Sequence, residues 1–263
     1  MTIRVGVFGA AGRMGRTVCG AVFADPETEL VAAVDPHHEG LDVRTVTGVD
    51  APGLVVGGGC ETMADAGAEV VVDFTEAAAA RENLKWCAKA GVHAVVGTTG
   101  LSDKDFASLE KSFTTSNCVV APNFAIGAVL MMRLAEIAAP FFESVEIMEL
   151  HHDAKKDAPS GTAMLTVERI AKASGEWSPD PTEHELLPGA RGGKGPADIP
   201  VHSLRLRGLV AHQEVLFGTT GQSLSIRHDS YDRSSFMPGV LLAVKKVAGA
   251  PGVTIGLDAL LDL

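Results

Sequence analysis

Short runs of β-branched and small apolar residues alternate with Ala-rich stretches over the first 121 residues of the chain. Arg4–Phe8 reads as a strand, and Gly12–Ala24 as a helix that Asp25-Pro26 ends. Leu30–Val34 and Val70–Phe74 are further strands, and a helix covers Ala77–Ala90. Ala94–Gly97 and Cys118–Ala121 are two more strands, separated by a helix that opens near Ser102-Asp103. These strands are continuous apolar runs, as burial on both sheet faces requires. The alternation predicts an α/β domain with a doubly wound parallel sheet.

The pattern changes after Asn123. Ala128–Phe142 predicts a helix whose apolar face carries Leu130, Leu134 and Ile137, with Pro140 near its end. Ser144–Leu150 is a strand and Ala163–Ala173 a helix. Glu176–Pro200 is rich in Pro and Gly, and a loop of that length serves as a lid, an interface arm or a binding loop. Val201–Leu206, Gln213–Phe217 and Ser223–Arg227 read as strands of a mixed or antiparallel sheet. A last helix, Phe236–Val247, returns to the first domain. The expected division is residues 1–125, completed by 235–263, and a second α+β domain over 126–234.

Composition narrows the function. Lys and Arg number 22 against 33 Asp and Glu, a net charge of −11. That balance argues against nucleic acid or an anionic membrane surface as partner, and leaves room for a local basic pocket. Cys19, Cys60, Cys87 and Cys118 form no C-x-x-C, and no His stands at ligand spacing from them. Free buried thiols and no metal are expected. Arg4 interrupts any leader, and the longest apolar run, Phe124 to Met132, is far short of the ~20 residues of a membrane span. A soluble, cytoplasmic protein is the expectation.

Gly9-Ala10-Ala11-Gly12-Arg13-Met14-Gly15 follows the first strand and opens the first helix. Glycines there let the backbone approach a pyrophosphate, which helix N–H groups and dipole then hold. The spacing G-x-x-G-x-x-G departs from the stricter G-x-G-x-x-G, so the context must support it. Asp35 closes the second strand, where a carboxylate can accept from an adenosine ribose. The bland alternative is a glycine turn beside a helix-flanking Asp. Gly97-Thr98-Thr99-Gly100 and Ala121-Pro122-Asn123-Phe124 end later strands on the ligand-carrying edge, though each is also an ordinary strand-end turn.

A second cluster lies beyond Leu150. His151, His152, Lys155 and Lys156 fall within six residues, and Pro159-Ser160-Gly161-Thr162 then leads into a helix. Uncapped N–H groups at that helix start, with the Ser160 and Thr162 hydroxyls, suit a carboxylate. Adjacent histidines at a strand end point to opposite sides, so His151 and His152 should have different jobs; one can face a reacting atom while the other binds a carboxylate. A solvated charged turn before a capped helix is the alternative. A metal pair lacks a nearby third ligand.

His151-His152-x-x-Lys155-x-Asp157-Ala158-Pro159-Ser160-Gly161-Thr162-Ala163 closely resembles the signature of the dihydrodipicolinate reductase family. The likeness extends to Gly9-x-x-Gly12-Arg13-Met14-Gly15, Val72-Asp73-Phe74-Thr75, Gly97-Thr98-Thr99-Gly100, Ala121-Pro122-Asn123-Phe124, and Arg207-Gly208 through His212. It implies a Rossmann-type domain and hydride transfer from NADH or NADPH to a six-membered, nitrogen-containing dicarboxylate of diaminopimelate and lysine synthesis. By the resemblance, His151 and Lys155 are the catalytic proton donors, and His152, Gly161 and Thr162 bind substrate. Gly9, Ala10, Ala11, Gly12, Arg13, Met14, Asp35, Gly97, Thr98, Thr99, Ala121, Pro122, Asn123 and Phe124 match the cofactor contacts. The second domain would bind substrate and build a homotetramer through its sheet.

Asp35 is followed by Pro36-His37-His38, with no Arg to receive a 2′-phosphate. NADH is therefore expected to serve at least as well as NADPH, although His37, Arg13 or Arg16 could accept the phosphate. Another small-molecule NAD(P)-dependent dehydrogenase would explain the glycine turn and leave the His-His-Lys block without a reason. A cofactor-reading redox sensor would need no proton donor.

Overall fold

In the computed structural model, which describes residues 2–261, the chain divides into two compact units, Met1–Phe124 with Phe236–Leu263 and Ala125–Ser235. Unit 1 opens with β1 (Ile3–Phe8), α1 (Arg13–Ala24), β2 (Thr28–Val34), α2 (Val43–Thr47), β3 (Val56–Gly57) and α3 (Cys60–Asp65). It continues with β4 (Val70–Asp73), α4 (Ala77–Ala90), β5 (His93–Val96), α5 (Asp103–Ser112) and β6 (Cys118–Val120). Unit 2 holds α6 (Ile126–Ala138), β7 (Ser144–His151), α7 (Gly161–Ala173), β8 (Gly193–Lys194), β9 (Pro200–Arg205), β10 (Ala211–Thr219) and β11 (Gln222–Ser230). The chain returns to unit 1 for α8 (Met237–Lys246) and β12 (Val253–Ile255).

The unit 1 sheet is parallel throughout, in the order β12-β6-β5-β4-β1-β2-β3. Val5, Val7, Val71, Val72, Val95 and Val119 are fully buried, so both faces are covered as the apolar runs predict. Strand order reverses between β1 and β4. The turns after those two strands therefore open on the crevice that carries ligands in such sheets. Asn117 fastens the last strand: its Nδ2 donates to Val247 O and Ala248 O at 2.9 Å, and its Oδ1 accepts from Gly252 N at 3.1 Å. The short β3 and β12, with α2 and α3, carry too few residues for a periodic signal.

Two glycines make the β1–α1 turn possible. Gly9 has φ +72°, a left-handed conformation that side chains disfavour. A Cβ on Gly15 would stand 2.0 Å from Gly9 O and 2.7 Å from Gly9 C. Only glycine lets α1 start this close to the end of β1.

The unit 2 sheet is mixed, in the order β11-β10-β7-β9-β8, with β7 and β9 parallel and the other pairs antiparallel. Val145, Ile147, Val201, Val215 and Phe217 pack against Ala163, Val167 and Ile170 of α7 and Ala135 of α6. The stripe expected on α6 is turned outward: Leu130, Leu134 and Ile137 are 37%, 50% and 52% exposed. Ala128, Val129, Met131, Met132 and Ala135 face inward instead. This helix is apolar nearly all round, so periodicity does not choose its face. A 3₁₀ turn over Ala139–Phe141 with Pro140 ends it. The long loop is tied down by Arg191, which pairs with Glu146 at 2.5 Å and Asp180 at 3.3 Å.

Two substitutions in α1 separate packing from propensity. Gly15→Ala forces a backbone clash and should lower unfolding free energy by about 1–3 kcal/mol. Gly20 has nothing within 4 Å of its would-be Cβ, so Gly20→Ala should raise it by about 0.5–1 kcal/mol. Denaturant titrations of both variants measure this, and equal signs would contradict the packing described.

Candidate active site

Because the unit 1 strands are parallel, the turns after β1, β2, β5 and β6 emerge on one edge of the sheet. That edge gathers Gly9 to Met14, Asp35, Gly97 to Thr99 and Ala121 to Phe124. Gly12 precedes α1 with extended backbone and gives it no side-chain cap. The Asp35 carboxylate accepts from Ala11 N at 3.2 Å, from His37 N at 3.1 Å and from His38 Nδ1 at 2.9 Å. Among the described residues its Oδ2 accepts only from Ala11 N and keeps acceptor capacity. A glycine cradle, an uncapped helix start and an acidic strand end together fit a dinucleotide, with pyrophosphate at the turn and ribose at Asp35.

Several residues of this edge are engaged in packing. Asp73 is fully buried and accepts from Thr75 N at 2.9 Å, Thr75 Oγ1 at 2.7 Å, Thr98 Oγ1 at 2.8 Å and Asn83 Nδ2 at 2.8 Å. The Thr98 hydroxyl thus ties the β5 turn to the β4 turn. Gly97 lies under the Phe74 ring, which would stand 2.0 Å from a Cβ. Phe124 is buried with its ring centroid 5.8 Å from that of Phe74. Ala10 and Ala121 are buried as well. At these positions the side chains are taken up by packing.

In unit 2 the core-facing row of β7 runs Val145, Ile147, Glu149, His151, turning from apolar to ionisable at its end. Glu149 is fully buried. Its Oε2 lies 2.5 Å from His151 Nδ1, and Arg205 of β9 grips both oxygens, Nη1 to Oε2 at 3.0 Å and Nη2 to Oε1 at 2.8 Å. Lys155 Nζ, on the turn beyond, meets both Asp157 oxygens at 2.8 and 2.9 Å. His152 lies past the strand and is exposed, as is Lys156. The two histidines therefore occupy different surroundings.

The start of α7 differs from the expectation of an uncapped terminus. Ser160 is its N-cap and accepts from Ala163 N at 3.1 Å, so this hydroxyl is committed to the helix. Gly161 is exposed and Thr162 half-buried in the first turn. Gln213 Nε2 donates to Thr166 Oγ1 at 2.7 Å, and Thr166 Oγ1 donates to Thr162 O at 2.8 Å, linking β10 to that turn.

Burial pushes the His151 imidazole below its ordinary value; Glu149 pulls it upward, and Lys155 and Arg205 push it further down. Burial raises Glu149, but its hydrogen bonds from Arg205, Ser203 and His151 prevail and hold it below the usual range. Among the described residues no three His, Cys, Asp or Glu gather as metal ligands, and no helix is long and apolar enough to cross a membrane. Burial also raises the thiols, Cys19 to about 12.

Glu149 and Arg205 were not singled out from sequence. The signal was present: in the Val145-x-Ile147-x-Glu149 phase an acid occupies a core position, which calls for a cationic partner. Arg205 shares the register position of His151, on the neighbouring strand.

The family model for the N-terminus of dihydrodipicolinate reductase matches residues 3–124, and that for the C-terminus matches 127–261. The chain belongs to the dihydrodipicolinate reductase family. A 4-hydroxy-tetrahydrodipicolinate reductase of Nocardia farcinica is 51% identical over 276 residues, covering 100% of both chains. One from Cutibacterium acnes is 49% identical over 268 residues, covering 99% of each. Among solved structures, a dipicolinate-bound dihydrodipicolinate reductase from a Paenisporosarcina species has a TM-score of 0.87 and 39% identity, over 98% of this chain and 99% of that one. An amine dehydrogenase from Mycobacterium smegmatis, with a TM-score of 0.68 and 15% identity over 98% of this chain and 96% of that one, shares the fold alone.

The depressed Glu149 carboxyl carries a pH signature. Its stabilisation is complete above the unfolded value, about 4.3, and is lost as pH falls through the lower folded value. Urea denaturation between pH 6 and 3 should show a smaller acid-side loss in Glu149→Gln than in the wild type, despite lower stability at neutral pH. Identical acid slopes would mean that the buried carboxylate is not linked to folding.

Proposed function

We propose that the chain reduces 4-hydroxy-tetrahydrodipicolinate to tetrahydrodipicolinate with NADH or NADPH, a step of diaminopimelate and lysine synthesis. The overall change adds one hydride and one proton, and the 4-hydroxyl leaves as water. A reduced nicotinamide supplies the hydride when bound to unit 1. What the protein must add is a proton at the right atom, charge to hold the dicarboxylate, and exclusion of water.

The observation that carries this reading is the half-buried His151 at the end of β7, backed by a fully buried carboxylate. With Nδ1 engaged by Glu149, the imidazolium hands over its Nε2 proton and keeps the Nδ1 proton on the carboxylate side. Its lowered pKa favours release near neutral pH. Lys155, steadied by Asp157, supplies fixed positive charge where negative charge develops. Exposed His152 and the Gly161-Thr162 helix start receive substrate carboxylate. Gly9 to Met14 hold pyrophosphate, Asp35 takes the ribose, and the β5 and β6 turns supply main-chain contacts. Since Pro36-His37-His38 offers no Arg for a 2′-phosphate, NADH serves at least as well as NADPH. The same reading makes the protein a cytoplasmic homotetramer joined through the sheet of unit 2.

The test is nicotinamide oxidation followed by absorbance of the reduced cofactor, with the hydroxylated substrate generated in the cuvette by its upstream enzyme. His151→Ala should lower kcat by roughly 10²–10⁴-fold, and Lys155→Ala by a comparable factor. His152→Ala should act mainly by raising KM for the dicarboxylate. All three should bind NADH as the wild type does in calorimetric titration. Wild-type turnover in His151→Ala would overturn the acid assignment. A large kcat loss in His152→Ala at saturation would exchange the histidines' roles.

A further inference from the structure

Arg205 touches both halves of the unit 2 cluster, and we propose that it is the positioning residue that holds His151 and Lys155 in one arrangement. The proposal rests on the reading of these two residues as acid and fixed cation. One side of the guanidinium grips Glu149 through two hydrogen bonds, and Glu149 in turn engages His151 Nδ1. On the other side, Nη2 donates to the main-chain oxygen of Asp157 at 2.7 Å, and the carboxylate of that residue receives Lys155 Nζ. Nη1 also donates to Leu204 O at 2.7 Å, which fixes the fork to its own strand. A planar group with several donors meets these acceptors together; a lysine, with one compact ammonium, cannot.

The arrangement sets the chemistry of the imidazole. Glu149, kept anionic by Arg205, directs the Nδ1 proton toward itself, and Nε2 has no hydrogen-bond partner among the described residues. The charged groups facing His151 are Glu149 on its own strand, Arg205 on β9 and Lys155 on the turn. On the other side, β10 places uncharged Ala211 and Gln213 in register with His151 and Glu149. The helix packed on the same face, α7, begins with Gly161, Thr162 and Ala163. Removing the Glu149 charge therefore lowers the His151 pKa.

Arg205→Lys, Glu149→Gln and the charge-free double variant Glu149→Gln/Arg205→Met test this, the last because loss of both partners of a buried pair is tolerated better than loss of one. Initial rates across pH 5 to 9 with NADH and the dicarboxylate should show Arg205→Lys losing about a hundredfold in kcat with KM for NADH unchanged. In Glu149→Gln the alkaline limb should move to lower pH by about one unit. The double variant should fold, as read by circular dichroism, and remain slow. Wild-type kcat in Arg205→Lys or in the folded double variant, or an unmoved alkaline limb in Glu149→Gln, would overturn the positioning role. If the wild type itself does not turn the dicarboxylate over, the functional reading fails separately. The tether is then decided by the His151 pKa from ring-proton NMR, which should be lower in Glu149→Gln than in the wild type; equal values would overturn it.

Discussion

A carboxylate with no exposed surface sits in the core-facing row of the central strand of unit 2. An ionised Glu there would be costly by several kcal/mol without compensation. The chain meets that constraint with Arg205, whose bidentate grip is the strongest ordinary pairing for a carboxylate. Much else follows. β9, parallel to β7, brings Arg205 into register with His151. The turn after β7 must come back within reach of the guanidinium, which bonds the Asp157 carbonyl. Ser160 then caps α7, and that helix covers the apolar part of the same face.

Unit 1 solves a different problem with backbone. Its ligand edge contains few free side chains: Thr98 is spent on Asp73, and Gly97 and Phe124 serve the packing of Phe74. What the edge offers is main chain brought close, made possible by the left-handed Gly9 and the absent Cβ of Gly15. Main-chain N–H groups suit a pyrophosphate, a ligand that every dinucleotide shares. The division of labour is physical. Charge and titration are concentrated in unit 2, and close approach in unit 1.

Much of this is legible in the sequence. The strands of unit 1 announce themselves because burial on both faces leaves unbroken Val runs, as in Val70-Val71-Val72, and Ser102 and the Asp25-Pro26 pair mark helix ends. The His151-to-Ala163 block is legible as a local gathering of His and Lys, and the glycine turn through its place between a strand and a helix with Asp35 ending the next strand. Other features required the fold. α6 is apolar on nearly every side, so its Leu130–Leu134–Ile137 stripe looked like the buried one. The two- and three-residue strands β3, β8 and β12 are set by neighbouring strands rather than by their own residues. Ser160 could be read as a ligand donor or as a cap, and the hydrogen bond to Ala163 decides for the cap. Arg205 stands 56 residues from Glu149, and only strand register brings them together.

Buried Glu149 sets the proton position on His151. Nitrogen-15 ring shifts of His151 in histidine-labelled protein measure it directly, without substrate or turnover. In the neutral imidazole Nδ1 should be protonated and Nε2 bare. A protonated Nε2 with a bare Nδ1, or an even mixture of the two tautomers, would contradict it.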